Sequence, residues 1–438
     1  MLETADSRTA ARGTSQEEAG GFWRLAPTAL VLLFAVFASW SIAIAQGAVV
    51  LLALVLAAGL LLGRVPRPHL GGLPWALRLV LVFLAVQALS IPLGVHPARS
   101  LAAFRGSWVM LFPFVFWVAL ESGRLRALAL RALVAGAALA GAYGVAQHFL
   151  GREYAAGKAL ERLAGGYIAV GALGHHLSYA GVLLPIFFIA LALALRAKGR
   201  LAWVLAAFAI GLGLLFSYAR TAWIGLGAGL LVLGLLRGRR AFLLLAGGMA
   251  AAIAIVMWAE PSISQRFFSM LHGHGTPERT RLWLTSLRIA ADHPWIGAGL
   301  GSFGSLFDGY RVAGAYQSTA HPHCDLLNVL VETGVVGLLA WTAIWVAFFR
   351  RPAGRPGDKS WMAAALRAAV VALLVGGLGQ CFSTDEKVAQ VWWFVAVISL
   401  RESWDFGRGA RPRGEGAAGA RADAARTDRR DEEGSRGH

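Results

Sequence analysis

Long uncharged apolar runs separated by short basic clusters set the pattern of this chain. A bilayer-spanning helix needs about 20 predominantly apolar residues, and from Leu25 to Gly63 no charged residue occurs at all. That run is too long for one span and long enough for two, so it reads as a hairpin folded back at Gln46-Gly47. Further apolar segments lie at about 74–93, 105–120, 127–147, 177–195, 201–217, 221–236, 241–257, 327–348, 361–380 and 388–403, which makes about twelve spans.

The intervals between the runs alternate in charge. Arg64 and Arg67, Arg124 and Arg126, then Arg196, Lys198 and Arg200, then Arg237, Arg239 and Arg240, then Arg350, Arg351, Arg355 and Lys359 fall in every second interval. Lys and Arg concentrate in cytoplasmic loops, so those intervals and both termini are expected inside. The outer side then receives the short turn Ser217-Tyr218-Ala219-Arg220, a medium loop at about 148–176 and a long one at 258–325. The expected product is an all-α polytopic membrane protein with one large external loop. A cytoplasmic leader covers 1–24, a transmembrane domain 25–403, and a cytoplasmic tail 404–438.

Composition narrows the picture further. With 57% hydrophobic and 15% charged residues the chain is far more apolar than a soluble globular protein. The formal charge of +17 follows from the topogenic clusters, so no nucleic-acid partner is expected. Glu3, Asp6, Glu17 and Glu18 precede the first apolar run, which does not resemble a cleavable signal peptide. The tail is rich in Gly, Ala, Arg and Asp and is expected to be disordered. Cys324 and Cys381 cannot build a zinc site by themselves, and neither a metal nor another cofactor is suggested. Both fall on the external side, where a disulfide between them is permitted and would tie the long loop to the last external turn.

The long loop holds the candidate chemistry. Leu282, Trp283, Leu287 and Ala290 share one face of a predicted helix over Thr280–Asp292, stopped by Pro294 and suited to lie at the membrane interface. Gly299, Gly301 and Gly304 formally match GxGxxG, but no strand precedes them, and a tight backbone turn is the expected use. His321-Pro322-His323-Cys324-Asp325 stands directly before an apolar helix. The positive end of a helix keeps a histidine neutral and attracts phosphate; helix capping is the structural alternative for the pair. Arg220 lies between two apolar runs, where an ionisable group is costly unless paired or functional. With Arg279 and Arg281 it makes an anion site beside a histidine base. Transfer from a diphosphate-linked donor needs that combination: Arg to stabilise the leaving diphosphate, His to take the proton of the attacking hydroxyl.

These residues resemble the O-antigen ligase and O-antigen polymerase superfamily of bacterial lipid-linked glycan transferases. The resemblance rests on Ser217-Tyr218-Ala219-Arg220-Thr221-Ala222-Trp223 and on a second, discontinuous stretch. That stretch runs from Arg279-Thr280-Arg281-Leu282-Trp283 through Asp292-His293-Pro294-Trp295-Ile296-Gly297-Ala298-Gly299 to His321-Pro322-His323 and Glu332-Thr333-Gly334. The family's catalytic histidine is followed, after a small polar residue and nine more, by GxxG; His323 with Gly334 and Gly337 fits, although Cys324 replaces the usual Asn, Ser or Gln. The resemblance implies a GT-C-like helical core without metal, with His323 as base and Arg220 and Arg279 on the diphosphate. Arg281, His321, His176 and Tyr179 are expected to contact substrate, His176 and Tyr179 from the medium loop and the helix after it.

It further implies an undecaprenyl-diphosphate-linked glycan donor and an acceptor hydroxyl at the periplasmic face of the bacterial inner membrane. The acceptor would be lipid A-core for a ligase, or glycan for a polymerase. The shared motifs do not separate these two, and the span layout with one dominant loop favours the ligase. A small-anion transporter is the alternative of another class, against which the charged residues gather at one face rather than in paired half-repeats.

Overall fold

The computed structural model describes residues 4–65, 73–153, 157–163, 165–196, 199–259, 264–265, 268, 276–316, 319–351 and 360–409. Arg67, Lys198, Arg355, Lys359, residues 410–438 of the tail and parts of the long loop lie outside them. The described chain is almost entirely helical: α1 Thr4–Phe37, α2 Ile42–Leu61, α3 Trp75–Leu93, α4 Pro97–Phe104, a 3-10 segment Arg105–Leu111, α5 Phe112–Ala119 and α6 Gly123–Leu150 come first. After them run α7 His176–Arg196, α8 Arg200–Phe216, α9 Arg220–Arg237 and α10 Arg239–Ala259. Two loop helices, α11 Thr276–Asp292 and α12 Phe303–Tyr310, precede α13 Asp325–Phe349, α14 Trp361–Gly376 and α15 Glu386–Gly409.

By length and composition, seven of the described segments can cross a membrane, and Gly21–Phe37, Arg200–Phe216 and Trp361–Gly376 are shorter apolar helices. Each apolar run of the sequence becomes helical, and the molecule is an all-α polytopic membrane protein. Helix α7 is its axis: 83% of the apolar window of α7 is buried inside the protein, against 33% for α2. Around it α14 packs on α7 and α9, α8 on α6 and α7, and α13 on α3. At the far end Arg126, only 5% exposed, joins α6 to α15 through Glu402 and Asp405, each at 2.7 Å.

Several boundaries differ from expectation, for local reasons. The first hairpin turns at 38–41, not at Gln46-Gly47. Ser41 caps α2 by accepting from Ile44 N, Trp40 Nε1 donates to Gly136 O, and Gln46 is free to stay helical because Glu386 Oε2 takes its side-chain amide at 3.0 Å. The run at 105–120 starts as early as Pro97 and is broken by 3-10 geometry. Helix α15 continues to Gly409, past the expected boundary at 403. The medium loop contains two small antiparallel hairpins, pairing Arg152–Glu153 with Lys158–Ala159 and Arg162–Leu163 with Gly166–Tyr167. Helix α11 buries Leu282, Thr285, Ser286, Ile289 and Ala290, a 3–4 residue spacing, while Leu287 is exposed. The expected face was therefore rotated, because α11 packs on α13 and α12 rather than lying free at the interface.

Helix α13 breaks at Gly334, where φ is 65° and ψ −167°. Such a break strands backbone groups that a nonpolar interior cannot satisfy, and the segment after α11 repairs it. Val335 N and Val336 N donate to Pro294 O and Trp295 O, while Val331 O and Glu332 O accept from Ala298 N and Gly299 N. Gly297 and Gly299, at φ 77° and 99°, make the tight turn this needs. A Cβ on Gly297 would meet Glu332 C and Thr333 N at 2.5 Å, so the glycine admits the close approach of two backbones.

Candidate active site

The N-termini of α7, α9, α13 and α15 meet the 377–385 loop at one end of the bundle. Asp325 opens α13 and docks it there: its N–H donates to Gly377 O at 2.7 Å, and its Oδ1 accepts from Ser383 N and Oγ at 2.9 and 2.5 Å. This fixes the preceding His321-Pro322-His323 against the same loop.

His323 has a left-handed backbone, φ 51°. Tyr218, φ 52°, shares that conformation, and among the described residues these are the non-glycine positions with positive φ. An L residue there costs roughly 1–2 kcal/mol. One strained residue is the expected base, and the other closes the turn just before Arg220. The half-buried His323 ring places Nδ1 2.7 Å from Gln380 Oε1. An amide oxygen accepts only, so Nδ1 carries the proton and Nε2 keeps a lone pair. The side-chain amide that Cys324 fails to supply in sequence thus comes from Gln380 in space.

Burial depresses the basicity of His323 most, the Gln380 bond opposes this, and the positive charge of Arg279 adds to the depression. His321 packs edge-on against it, with ring centroids 4.2 Å apart and planes at 80°, and is likewise held below its ordinary value by burial and by His323. Both imidazoles are therefore neutral near pH 7.

Arg279 and the first residues of α9 meet at Gly379. A Cβ at that glycine would lie 3.2 Å from Arg279 Nη1 and 2.5 Å from Thr221 Cγ2, and Thr221 follows Arg220 at the start of α9. The residue beside Gly379 is Gln380, so His323, Gln380, Arg279 and Thr221, the neighbour of Arg220, gather around one short loop. The Arg220 turn is itself held tightly: Ser217 Oγ donates to Leu214 O and accepts from Ala219 N, while Trp223 Nε1 donates to Leu214 O.

Other expected contacts fall elsewhere. His176 Nδ1 donates to Ser217 O at 2.9 Å, which braces the Arg220 turn. Tyr179 is fully buried and its hydroxyl donates to Ala140 O in α6, so it packs α7 against α6 rather than facing a substrate. Arg281 turns away from Arg279: Nη2 donates to Ala315 O at 2.6 Å and the guanidinium lies over the Tyr316 ring at 5.3 Å, holding that loop down. Cys324 and Cys381 are both buried and unbridged, and burial pushes both thiols up.

Two polar residues were missed. Gln380 reads in sequence as the polar end of an apolar run. Asp385, before α15, accepts from Ser178 Oγ at 2.5 Å and from Lys387 N at 3.0 Å, and Ser178 lies 3.4 Å from His175 Nδ1. A lone Gln and an Asp at a helix start carry no spacing signal.

Residues 205–342 match the family model described as O-antigen ligase. Over 132 residues the chain is 32% identical to the O-antigen ligase of Pseudomonas aeruginosa strain PAO1, an alignment that covers 30% of this chain and 30% of that relative's length. The matched segment contains Arg220, Arg279, His321, His323 and the Gly334 break, and it ends before Gln380. Through this segment, which carries the expected base and both expected diphosphate ligands, the chain is similar to the O-antigen ligase family.

Proposed function

We propose that the protein is a glycosyltransferase that moves a glycan from undecaprenyl-diphosphate to a hydroxyl of lipid A-core at the periplasmic face of the inner membrane. The observation that carries this reading is the His323–Gln380 bond, which leaves Nε2 as a neutral base beside Arg279 and the Arg220 turn. In the step, Nε2 takes the proton of the acceptor hydroxyl as its oxygen bonds the anomeric carbon. The bond from that carbon to the diphosphate breaks, and the guanidinium groups of Arg220 and Arg279 stabilise the charge left on undecaprenyl-diphosphate. Positive charge near His323 also keeps it unprotonated and ready to accept.

The test is transfer in proteoliposomes containing the lipid-linked glycan, with and without lipid A-core. The proposal expects capped acceptor with the wild-type protein, and at least about a hundredfold less with Arg220→Ala or Arg279→Ala, the size of losing a charge stabiliser in the transition state. Lengthening of the glycan on its carrier, with acceptor untouched, would instead make the protein a polymerase.

A further inference from the structure

The 377–386 loop has a second side. Gln380 faces His323, whereas Ser383, Thr384 and Glu386 line a cavity of about 180 Å³ on the flank formed by α3, α13 and the segment 103–110. Its polar lining includes Gln87, Ser107, Glu332, Thr384 and Glu386, and its apolar wall includes Trp341 and Phe83, whose rings are 5.4 Å apart. No Arg, Lys or His lines it.

The lining is built to accept hydrogen bonds. Glu332 Oε1 takes one from Gly301 N at 2.9 Å and Glu386 Oε2 one from Gln46 Nε2 at 3.0 Å, so each carboxylate is held in place. Gln87 is only 7% exposed, and its Oε1 has no hydrogen-bond partner among the described residues. A buried acceptor left unpaired costs about 1–3 kcal/mol, and a donor in the cavity would recover it once the amide turns its oxygen toward that space. A phosphate or diphosphate would meet the Glu386 carboxylate with no cation beside it. Among the described residues no group of three or more His, Cys, Asp or Glu forms a cation cage. Hydroxyl donors over an aromatic face describe a sugar ring. The volume is below the roughly 300 Å³ of drug-sized pockets, the scale of one ring rather than of a chain.

We propose that this cavity is the subsite for a sugar ring of the acceptor glycan, with Gln87, Glu332, Glu386 and Thr384 accepting or exchanging hydrogen bonds with its hydroxyls and Trp341 supplying its apolar wall. The assignment to acceptor rests on the transferase reading above: the arginines that suit the diphosphate donor lie by Gly379 and Thr221, and the cavity lies across the loop from His323. The acceptor then reaches the base from the flank opposite the donor.

Binding separates this from transfer. Full-length protein carrying His323→Ala, in nanodiscs, is titrated calorimetrically with deacylated core oligosaccharide lacking O-antigen. The proposal expects binding, weakened about tenfold by adding Gln87→Leu or Thr384→Val, the worth of one hydrogen bond. Leu at 87 removes an unpaired buried acceptor at similar volume, so the fold is not weakened by the change. Unaltered affinity in both variants, or no binding at all before they are introduced, overturns the subsite. Binding that depends on Gln87, in a protein whose wild type transfers nothing to this acceptor, sustains the sugar site and overturns the transferase reading alone. As a second readout, Gln87→Leu in the active protein raises the acceptor KM about tenfold and leaves the donor KM within twofold; a shift in donor KM instead contradicts the assignment.

Discussion

At His323 a left-handed backbone, a half-buried ring and a bond to Gln380 coincide. The histidine was legible in sequence, because two imidazoles before an apolar helix, with GxxG at the right distance, form a spaced pattern. Its partner was not, since Gln380 lies 57 residues further along and meets His323 only when the start of α13 docks on the 377–385 loop. The two groups around the ring act oppositely, which gives a signed prediction. The reactive form is neutral, so kcat/KM for transfer is full above the pKa of His323 and falls as pH drops through it. Burial puts that acidic limb below the ordinary histidine value of about 6.5. Gln380 raises the pKa and Arg279 lowers it. Gln380→Leu is therefore expected to move the limb to lower pH, and Arg279→Gln to higher pH. Limbs that coincide with wild type in both variants would remove His323 from the titration that limits the reaction.

At the scale of elements, the apolar runs gave the helices in the right order, because about 20 apolar residues in lipid leave the helix as the structure that satisfies its own backbone. What periodicity did not show is the interruption of α13, since Gly334 stands inside an apolar run that reads as continuous. The break exists only together with residues 294–299, which supply the missing backbone partners from a distant loop. That joint explains why Pro294, Gly297 and Gly334 belong to one constellation with His323: the repaired break sets where the first turns of α13, and the histidine before them, stand relative to α11. A Cβ at Gly334 would come within 2.3 Å of Trp295 C and O, and φ is 65°. Gly334→Ala is expected to destabilise the protein by about 2–5 kcal/mol, combining left-handed strain and overpacking. Gly227→Ala, at a helical position with nothing within 4 Å, serves as control and is expected to be neutral or stabilising. Thermal unfolding in detergent measures both, and equal midpoints would refute the joint.

For the whole molecule, the buried axis α7 and the charged pair linking α6 to α15 define a bundle with two unlike ends. One end carries Arg126, Arg196, Arg200, Arg237 and Arg239 at helix termini, the other the histidines, Gln380 and Arg279. On the proposed function the basic end faces the cytoplasm, as the positive-inside rule expects, and the site faces outward. The gathering of basic clusters at one end of the bundle was legible in sequence, while the side-chain contacts at the other end were not. Tyr179 was expected to contact substrate and is a core residue, because 83% of the apolar stretch of α7 is buried inside the protein. Labelling checks the orientation cleanly, since both native thiols are buried. Cysteine placed by Asp308→Cys, an exposed position in α12, is expected to react with an impermeant maleimide in spheroplasts, and Arg200→Cys only after the inner membrane is opened. The reverse pattern would turn the site inward and remove periplasmic transfer.

The central claim is that His323 takes the proton of the acceptor hydroxyl, and single-turnover transfer by correctly inserted His323→Ala protein tests it most directly. A positioned general base contributes about 10²–10⁴-fold, so the account predicts a rate constant lower by that factor, with donor binding retained through Arg220 and Arg279. A rate within a few-fold of wild type would show that another group accepts the proton.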